Sequence, residues 1–311
     1  METAFITGAS SGIGAAFACQ LAARRKNLIL LDKQKEQLIT LATRLQEQYP
    51  VTVKILVADL SNPVDIEKIE NYIIMIKNLD ILINNAGFGT SGNFIEVNLS
   101  KQLDMIHVHI IATMRFCRAA LPGMIAHRKG SIINVSSIGA FKPIPGSVTY
   151  SSTKAYLVTF SEALQTELVG TGVKVQALCP GFTHTGFHNT PEFGNFNRSR
   201  IPKIFWMTAE EVAVKSLKAL RRGRAIYIPG FKNRLLVILA RIITYKLPFI
   251  LKWVRKNFDT SRQAFSSLSP QNMHSTRIQH SEDFSCWQET TLKEINDDSS
   301  TKTERYLSDK G

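Results

Sequence analysis

Two groups of residues have the types and spacing to do chemistry. Tyr150 and Lys154 stand four apart. On a helix that spacing puts both side chains on one face. A free phenol titrates at about 10, and a neighbouring ammonium favours the phenolate. The pair therefore predicts a tyrosine of lowered pKa that gives or takes a proton near neutrality. Taken alone, it also fits two unconnected residues on an exposed helix. The second group is Thr7-Gly8-Ala9-Ser10-Ser11-Gly12-Ile13-Gly14, set between an apolar run and a helical stretch. Glycine lets a backbone turn sharply and lets a pyrophosphate approach. The helix N-terminus then offers free N–H groups and a positive dipole end. A tight turn without ligand is the alternative, and the strand–turn–helix setting favours the nucleotide.

These residues need elements to position them. Residues 4–7, 27–31, 51–57, 79–83, 131–136, 173–178 and 225–228 are short runs of Ile, Val and Leu without clean alternation. Strands buried on both faces of a parallel sheet look like this. Helical stretches lie between them at 12–25, 33–48, 63–77, 99–127 and 150–169. Thr208 and Glu211 predict a capping box opening another helix, which Gly223 closes. The alternation predicts an α/β fold: a Rossmann-type doubly wound parallel sheet of about seven strands, with helices on both faces.

The spacing Thr-Gly-x-x-x-Gly-x-Gly resembles the short-chain dehydrogenase/reductase family in its classical form. Four further pieces match in order: Asp59 after the third strand, Asn84-Asn85-Ala86-Gly87 after the fourth, Tyr150-x-x-x-Lys154, and Pro180-Gly181 followed by Thr183. The resemblance covers residues 3 to about 230. It implies an oxidoreductase that moves hydride between a nicotinamide cofactor and an alcohol or ketone. It also implies cofactor contacts from Gly8, Ser10, Ser11, Gly12, Ile13, Gly14, Asp59, Leu60, Asn85, Ala86, Gly87, Tyr150, Lys154, Pro180, Gly181 and Thr183. Lys154 would hold the nicotinamide ribose, and the positive nicotinamide would help lower the Tyr150 pKa. The family's serine lies thirteen residues before its tyrosine, which selects Ser137 to polarise the substrate oxygen. Ser136 is left to support the pocket.

One position departs from the family. Its helix asparagine, whose backbone carbonyl holds a relay water, is His109 here. Either the backbone role survives, or the imidazole relays protons itself, or the relay is impaired. The last case leaves a second function open: a non-catalytic dinucleotide-binding sensor or scaffold. Asp32, 24 residues after Gly8, suits the ribose hydroxyls of NAD and repels a 2′-phosphate, while the adjacent Lys33 keeps NADP open. No metal is expected. His107 and His109 point to different faces, and His184 and His188 lack a third ligand. The resemblance further implies a mobile substrate lid over 182–207. Its Phe182, Phe187, Phe193, Phe196, Phe205, Trp206 and Met207 point to a lipophilic substrate or to ordinary anchoring of the lid. Family likeness implies a homodimer or homotetramer built on helices 99–127 and 150–169.

The 311-residue chain has a net charge of +13, unevenly spread. Residues 198–256 hold 15 basic and 2 acidic side chains, while 1–197 hold 17 and 14. The catalytic part is thus nearly neutral, and no nucleic-acid module accompanies the charge, so nucleic acid is not an expected partner. Within 231–256, cations alternate with Leu, Ile, Phe249 and Trp253 and no acid occurs. That reads as a peripheral membrane contact, or equally as a helix covering the cleft or a dimer seam. The chain divides into a catalytic domain (1–230), this basic amphipathic segment (231–257) and a polar tail (258–311) expected to be disordered. The longest charge-free run of the segment, Leu235 to Ala240, is far short of a spanning helix. Four scattered cysteines without a CxxC pair and the absence of a basic leader predict a cytoplasmic protein.

Overall fold

The computed structural model describes residues 2–189 and 201–245. Phe193, Phe196 and the tail expected over 258–311 lie outside the described residues. The elements run β1 (Thr3–Thr7), α1 (Gly12–Ala22), β2 (Asn27–Asp32), α2 (Lys35–Gln48), β3 (Val53–Val57), α3 (Pro63–Ile74) and β4 (Leu79–Asn84). There follow α4 (Leu99–Ile106), a π-helical turn (His107–Ile111), α5 (Ala112–Ala126), β5 (Gly130–Val135), α6 (Val148–Glu167) and β6 (Val173–Leu178). The chain continues through β7 (Thr183–His184), β8 (Met207–Thr208), α7 (Ala209–Arg221), β9 (Ile226–Tyr227) and α8 (Phe231–Tyr245).

Seven strands form one parallel sheet in the order β3-β2-β1-β4-β5-β6-β9. The order reverses between β1 and β4, which opens a crevice at the carboxyl ends of these strands. The apolar strands bury both faces. One core layer joins them to α1, α2 and α7, the other to α3, α5 and α6. Every expected strand and helix is present. The capping box is formed, with Thr208 Oγ1 accepting from Glu211 N at 3.1 Å and Glu211 Oε2 from Thr208 N at 3.3 Å.

The helix expected over 99–127 differs from a single regular rod. Its middle winds into the π-turn His107–Ile111, where the Ala112 N–H reaches back to the His107 carbonyl. Side-chain periodicity does not register one extra residue in a helix, and such turns recur at functional sites. A compact unit runs from Met1 to Tyr245, so α8 belongs with the sheet.

Candidate active site

β1 delivers the chain into the glycine turn, and the fourth strand's end locks it. Asn85 Nδ2 donates to the Thr7 and Gly8 carbonyls at 3.0 and 2.9 Å. Thr7 Oγ1 accepts from the Asn85 and Ala86 N–H groups at 3.0 and 2.9 Å. A Cβ on Gly14 would lie 2.1 Å from the Gly8 carbonyl, so only glycine lets α1 start this close to β1. Ser11 precedes α1 without a side-chain cap, and no acid occupies its first turn. The helix therefore presents unspent N–H groups and its positive end to the crevice, as a bound pyrophosphate requires.

Asp32 closes the turn from β2. Its carboxylate accepts from Ser10 N (3.2 Å), Ser10 Oγ (2.8 Å) and Gln34 N (3.2 Å). Lys33, a possible phosphate partner in the sequence, lies 3.5 Å from Asp59. Burial opposes the Asp59 carboxylate, but two bonds from Ser61 and the Lys33 charge outweigh it and hold its pKa below the ordinary value. Leu60 is buried behind Asp59. These residues fit a nicotinamide dinucleotide: an uncapped helix end for the diphosphate and a carboxylate at the ribose position.

The candidate proton-transfer groups Ser137, Tyr150 and Lys154 meet at the end of β5 and the start of α6. Ser137 caps the short helical turn Ile138–Phe141, accepting from Gly139 N at 3.0 Å, and a Cβ on Gly139 would lie 3.4 Å from Ser137 Oγ and 3.5 Å from the Tyr150 ring, so the two side chains face one spot. Lys154 is buried one turn along α6, and its Nζ donates to the Val135 carbonyl at 2.9 Å. Ser136 Oγ donates to the Lys154 carbonyl at 2.6 Å, a supporting position. Pro180 accepts from Ile138 N at 2.9 Å, and Thr183 Oγ1 donates to the Gly181 carbonyl at 3.0 Å. That loop is thereby tied to the serine turn.

The electrostatics correct one expectation. Tyr150 is not lowered: burial pushes its phenol above the ordinary value, against the lowering effect of the Ser137 side chain. Lys154 stands 5.8 Å from the ring centroid and is itself brought down to about 7 by burial. A cationic ring beside the phenol acts in the opposite direction to burial.

His109 bears on the three cases left open for it. It is buried, and its pKa lies well below the ordinary value, first through burial and then through the Lys154 charge. Its Nε2 accepts from Phe88 N at 3.2 Å, and its Nδ1 lies 2.9 Å from Thr153 Oγ1. Thr153 spends its own hydrogen on the Tyr150 carbonyl at 2.9 Å. Nδ1 must therefore donate and Nε2 must carry the lone pair. The imidazole is a fixed neutral bridge between the Phe88 loop and the catalytic helix, not a relay titrating near neutrality. A Cβ on Gly87 would come 2.7 Å from Nε2 and 3.4 Å from Lys154 Nζ, which shows how tightly these groups gather.

Several site residues were not read from the sequence. Asn134 accepts from Asn84 Nδ2 at 2.8 Å and donates to Ser161 Oγ at 2.9 Å, joining β4, β5 and α6 beneath the catalytic groups. Polar residues inside strands were the available signal. Thr153 sits between the two motif residues. Asn233 of α8 lies flat against Gly181, and nothing in its local sequence marks it. Of the lid aromatics, Phe187 lies 5.9 Å from the Tyr150 ring, and Trp206 stacks on His184 at 4.8 Å. Among the described residues no cluster of three or more His, Cys, Asp or Glu could hold a metal.

A family model described as short chain dehydrogenase matches residues 2–192. Hydroxysteroid dehydrogenase-like protein 1 of Gallus gallus is 35% identical over 231 residues, 73% of this chain and 67% of that one. Inactive hydroxysteroid dehydrogenase-like protein 1 of Homo sapiens is 36% identical over 184 residues, 58% of this chain and 56% of its own length. The chain thus spans between about half and two thirds of these curated relatives. A solved short-chain dehydrogenase from Sphingobium yanoikuyae in complex with NADPH superposes with a TM-score of 0.69 at 30% identity, covering 89% of this chain and 100% of that one.

Proposed function

The chain belongs to the short-chain dehydrogenase family, and on that premise we propose that it oxidises or reduces a lipophilic alcohol or ketone. A nicotinamide dinucleotide supplies the hydride acceptor or donor when bound. Tyr150 gives or takes the proton at its phenolic oxygen, and Ser137 Oγ hydrogen-bonds the substrate oxygen. The observation that carries this reading is the convergence of Ser137 and Tyr150 around Gly139, with Lys154 buried and its Nζ 5.8 Å from the Tyr150 ring. Phe187 against the Tyr150 ring, and the Phe182–Trp206 pair at 5.5 Å, favour an apolar substrate.

NAD is the cofactor that Asp32 favours, since a carboxylate at this position repels a 2′-phosphate and Lys33 is engaged by Asp59. The NADPH-bound Sphingobium relative supports the other choice. Michaelis constants for both cofactors decide between them, and a clear preference for NADP removes the NAD reading. Homo-oligomerisation through α4, α5 and α6 belongs to the same proposal. Leu99, Leu103 and Val148 are exposed there, and light scattering of the purified protein tests it.

A second reading, a dinucleotide-binding protein without turnover, is favoured by the human relative named inactive and by His109 in place of the family's asparagine. A cofactor-reduction screen against chemically diverse alcohols separates the two. Turnover that disappears in Tyr150→Phe supports the enzyme. Tight cofactor binding without turnover on the whole panel supports the sensor.

A further inference from the structure

We infer that the outer face of α8 is a docking surface for an anionic lipid bilayer. Asn233 and Val237, one turn apart, are 2% and 6% exposed and form the inner face. There α8 packs on the Ile138–Phe141 turn that Ser137 caps and on the segment Lys203–Phe205. At about 100° per residue, Phe231, Leu235 and Ile238 form one stripe on the side opposite that pair. They are 74%, 45% and 54% exposed, and Leu239 beside them is exposed too. Lys232 and Arg234 flank the stripe, one on each side. The Arg234 guanidinium carbon stands 6.0 Å from the Tyr227 ring, which keeps the cation at the rim.

An apolar stripe between two cations is the arrangement of a helix lying in an interface. The apolar side chains enter the acyl boundary while Lys and Arg reach headgroup phosphates. The surrounding chain has the matching charge: from residue 212 to residue 258 there are 12 basic side chains and no acidic one. A second copy would set cations against cations across a two-fold axis. The segment 257–311, with 6 basic and 9 acidic residues, has the complementary charge but no apolar period to cover the stripe. No helix among the described residues is long and apolar enough to cross a membrane. Because its inner face packs on the serine turn, a docked molecule holds the cleft next to the bilayer, where a lipophilic substrate can enter from lipid. Only that last step, entry of a lipophilic substrate from the bilayer, rests on the proposed oxidoreductase reading.

The test is sedimentation of the full-length protein with phosphatidylcholine vesicles, with and without phosphatidylglycerol, at low and high salt. Binding that needs the anionic lipid and weakens with salt is expected. Joint Leu235→Glu and Ile238→Glu substitution lowers partitioning about tenfold or more, since two apolar side chains leave the acyl boundary. Cofactor titration of the same variant stays at the wild-type value. If that variant loses cofactor binding, joint Lys232→Ser and Arg234→Ser substitution serves instead and must lower binding to anionic vesicles. Wild-type protein that ignores anionic vesicles overturns the inference. So do variants that bind them unchanged, and light scattering in which the stripe substitution turns a dimer into a monomer.

Discussion

The two ends of the cleft are held together in opposite ways. At the glycine turn, side chains are spent on backbone: Asn85 donates to the Thr7 and Gly8 carbonyls, Thr7 Oγ1 accepts from the Asn85 and Ala86 N–H groups, and Asp32 accepts from Ser10 and Gln34. At the catalytic end, groups are held away from their ordinary protonation. Lys154 is brought down to about 7, His109 is lowered and Tyr150 is raised. Among the described residues, the buried side-chain atoms without a hydrogen bond are Asn84 Oδ1, His107 Nδ1, Ser151 Oγ and Asn233 Oδ1. None of them belongs to the glycine turn. One end is scaffold that folding completes. The other keeps desolvated ionisable groups, a cost that proteins concentrate where chemistry is done.

The largest effect expected from this contrast is on turnover at the catalytic end. On the proposed oxidoreductase reading, Tyr150→Phe removes the proton carrier and lowers kcat by about a hundredfold to ten-thousandfold. Cofactor affinity, set mainly at the other end, stays within about twofold by titration. An equal loss of both would break the comparison. Gly14→Ala is the converse. With its Cβ 2.1 Å from the Gly8 carbonyl, the turn must shift. The Michaelis constant for cofactor then rises by about tenfold or more, while kcat at saturating cofactor falls far less.

His109 sharpens the contrast with a smaller change. His109→Leu leaves the Phe88 N–H without its acceptor and removes the bond to Thr153, a cost of about 1–3 kcal/mol for a buried donor. Activity falls about tenfold, while His109→Asn, which can still accept and donate, remains near wild type. The kcat/KM profile locates the titrating group. Lys154 is lowered, so it loses its proton as pH rises through about 7. A limb near that pH persists in His109→Asn. Loss of the limb in that variant would mean that the imidazole titrates after all.

Legibility in the sequence follows the same division. The strands and most helices were readable because a parallel sheet buried on both faces imposes apolar runs, and capping residues such as Thr208 and Glu211 act within one turn of sequence. The glycine turn was readable because its geometry excludes side chains at fixed spacings. The state of Tyr150 was not, because it depends on burial and on where Lys154 Nζ points, and neither is written in a spacing of four. The His109 tautomer depends on Phe88 and Thr153, which are distant or unremarkable in sequence. Asn233 reaches Gly181 only through the fold. The basic segment was readable as amphipathic, but only burial of Asn233 and Val237 separates its two faces.

The smallest effect expected lies at the amino ends of the strands, away from both parts of the cleft. Glu2 makes ion pairs there with Lys26 and Lys129, and Lys26 also pairs with Asp80. Hydrogen bonds from Lys129 and Lys26 hold the Glu2 carboxyl down at about 2. A lowered carboxylate stabilises the fold above its unfolded pKa, and that contribution fades as pH falls toward about 2. Glu2→Gln therefore lowers the melting temperature at neutral pH, by about 2 °C or less because the pair is partly exposed and screened by salt. The difference shrinks in acid and at high salt. Neither Michaelis constant nor kcat changes. A kinetic change in this variant would show that strain passes through the sheet from one edge to the other, and the two-part division of the cleft would then be too local.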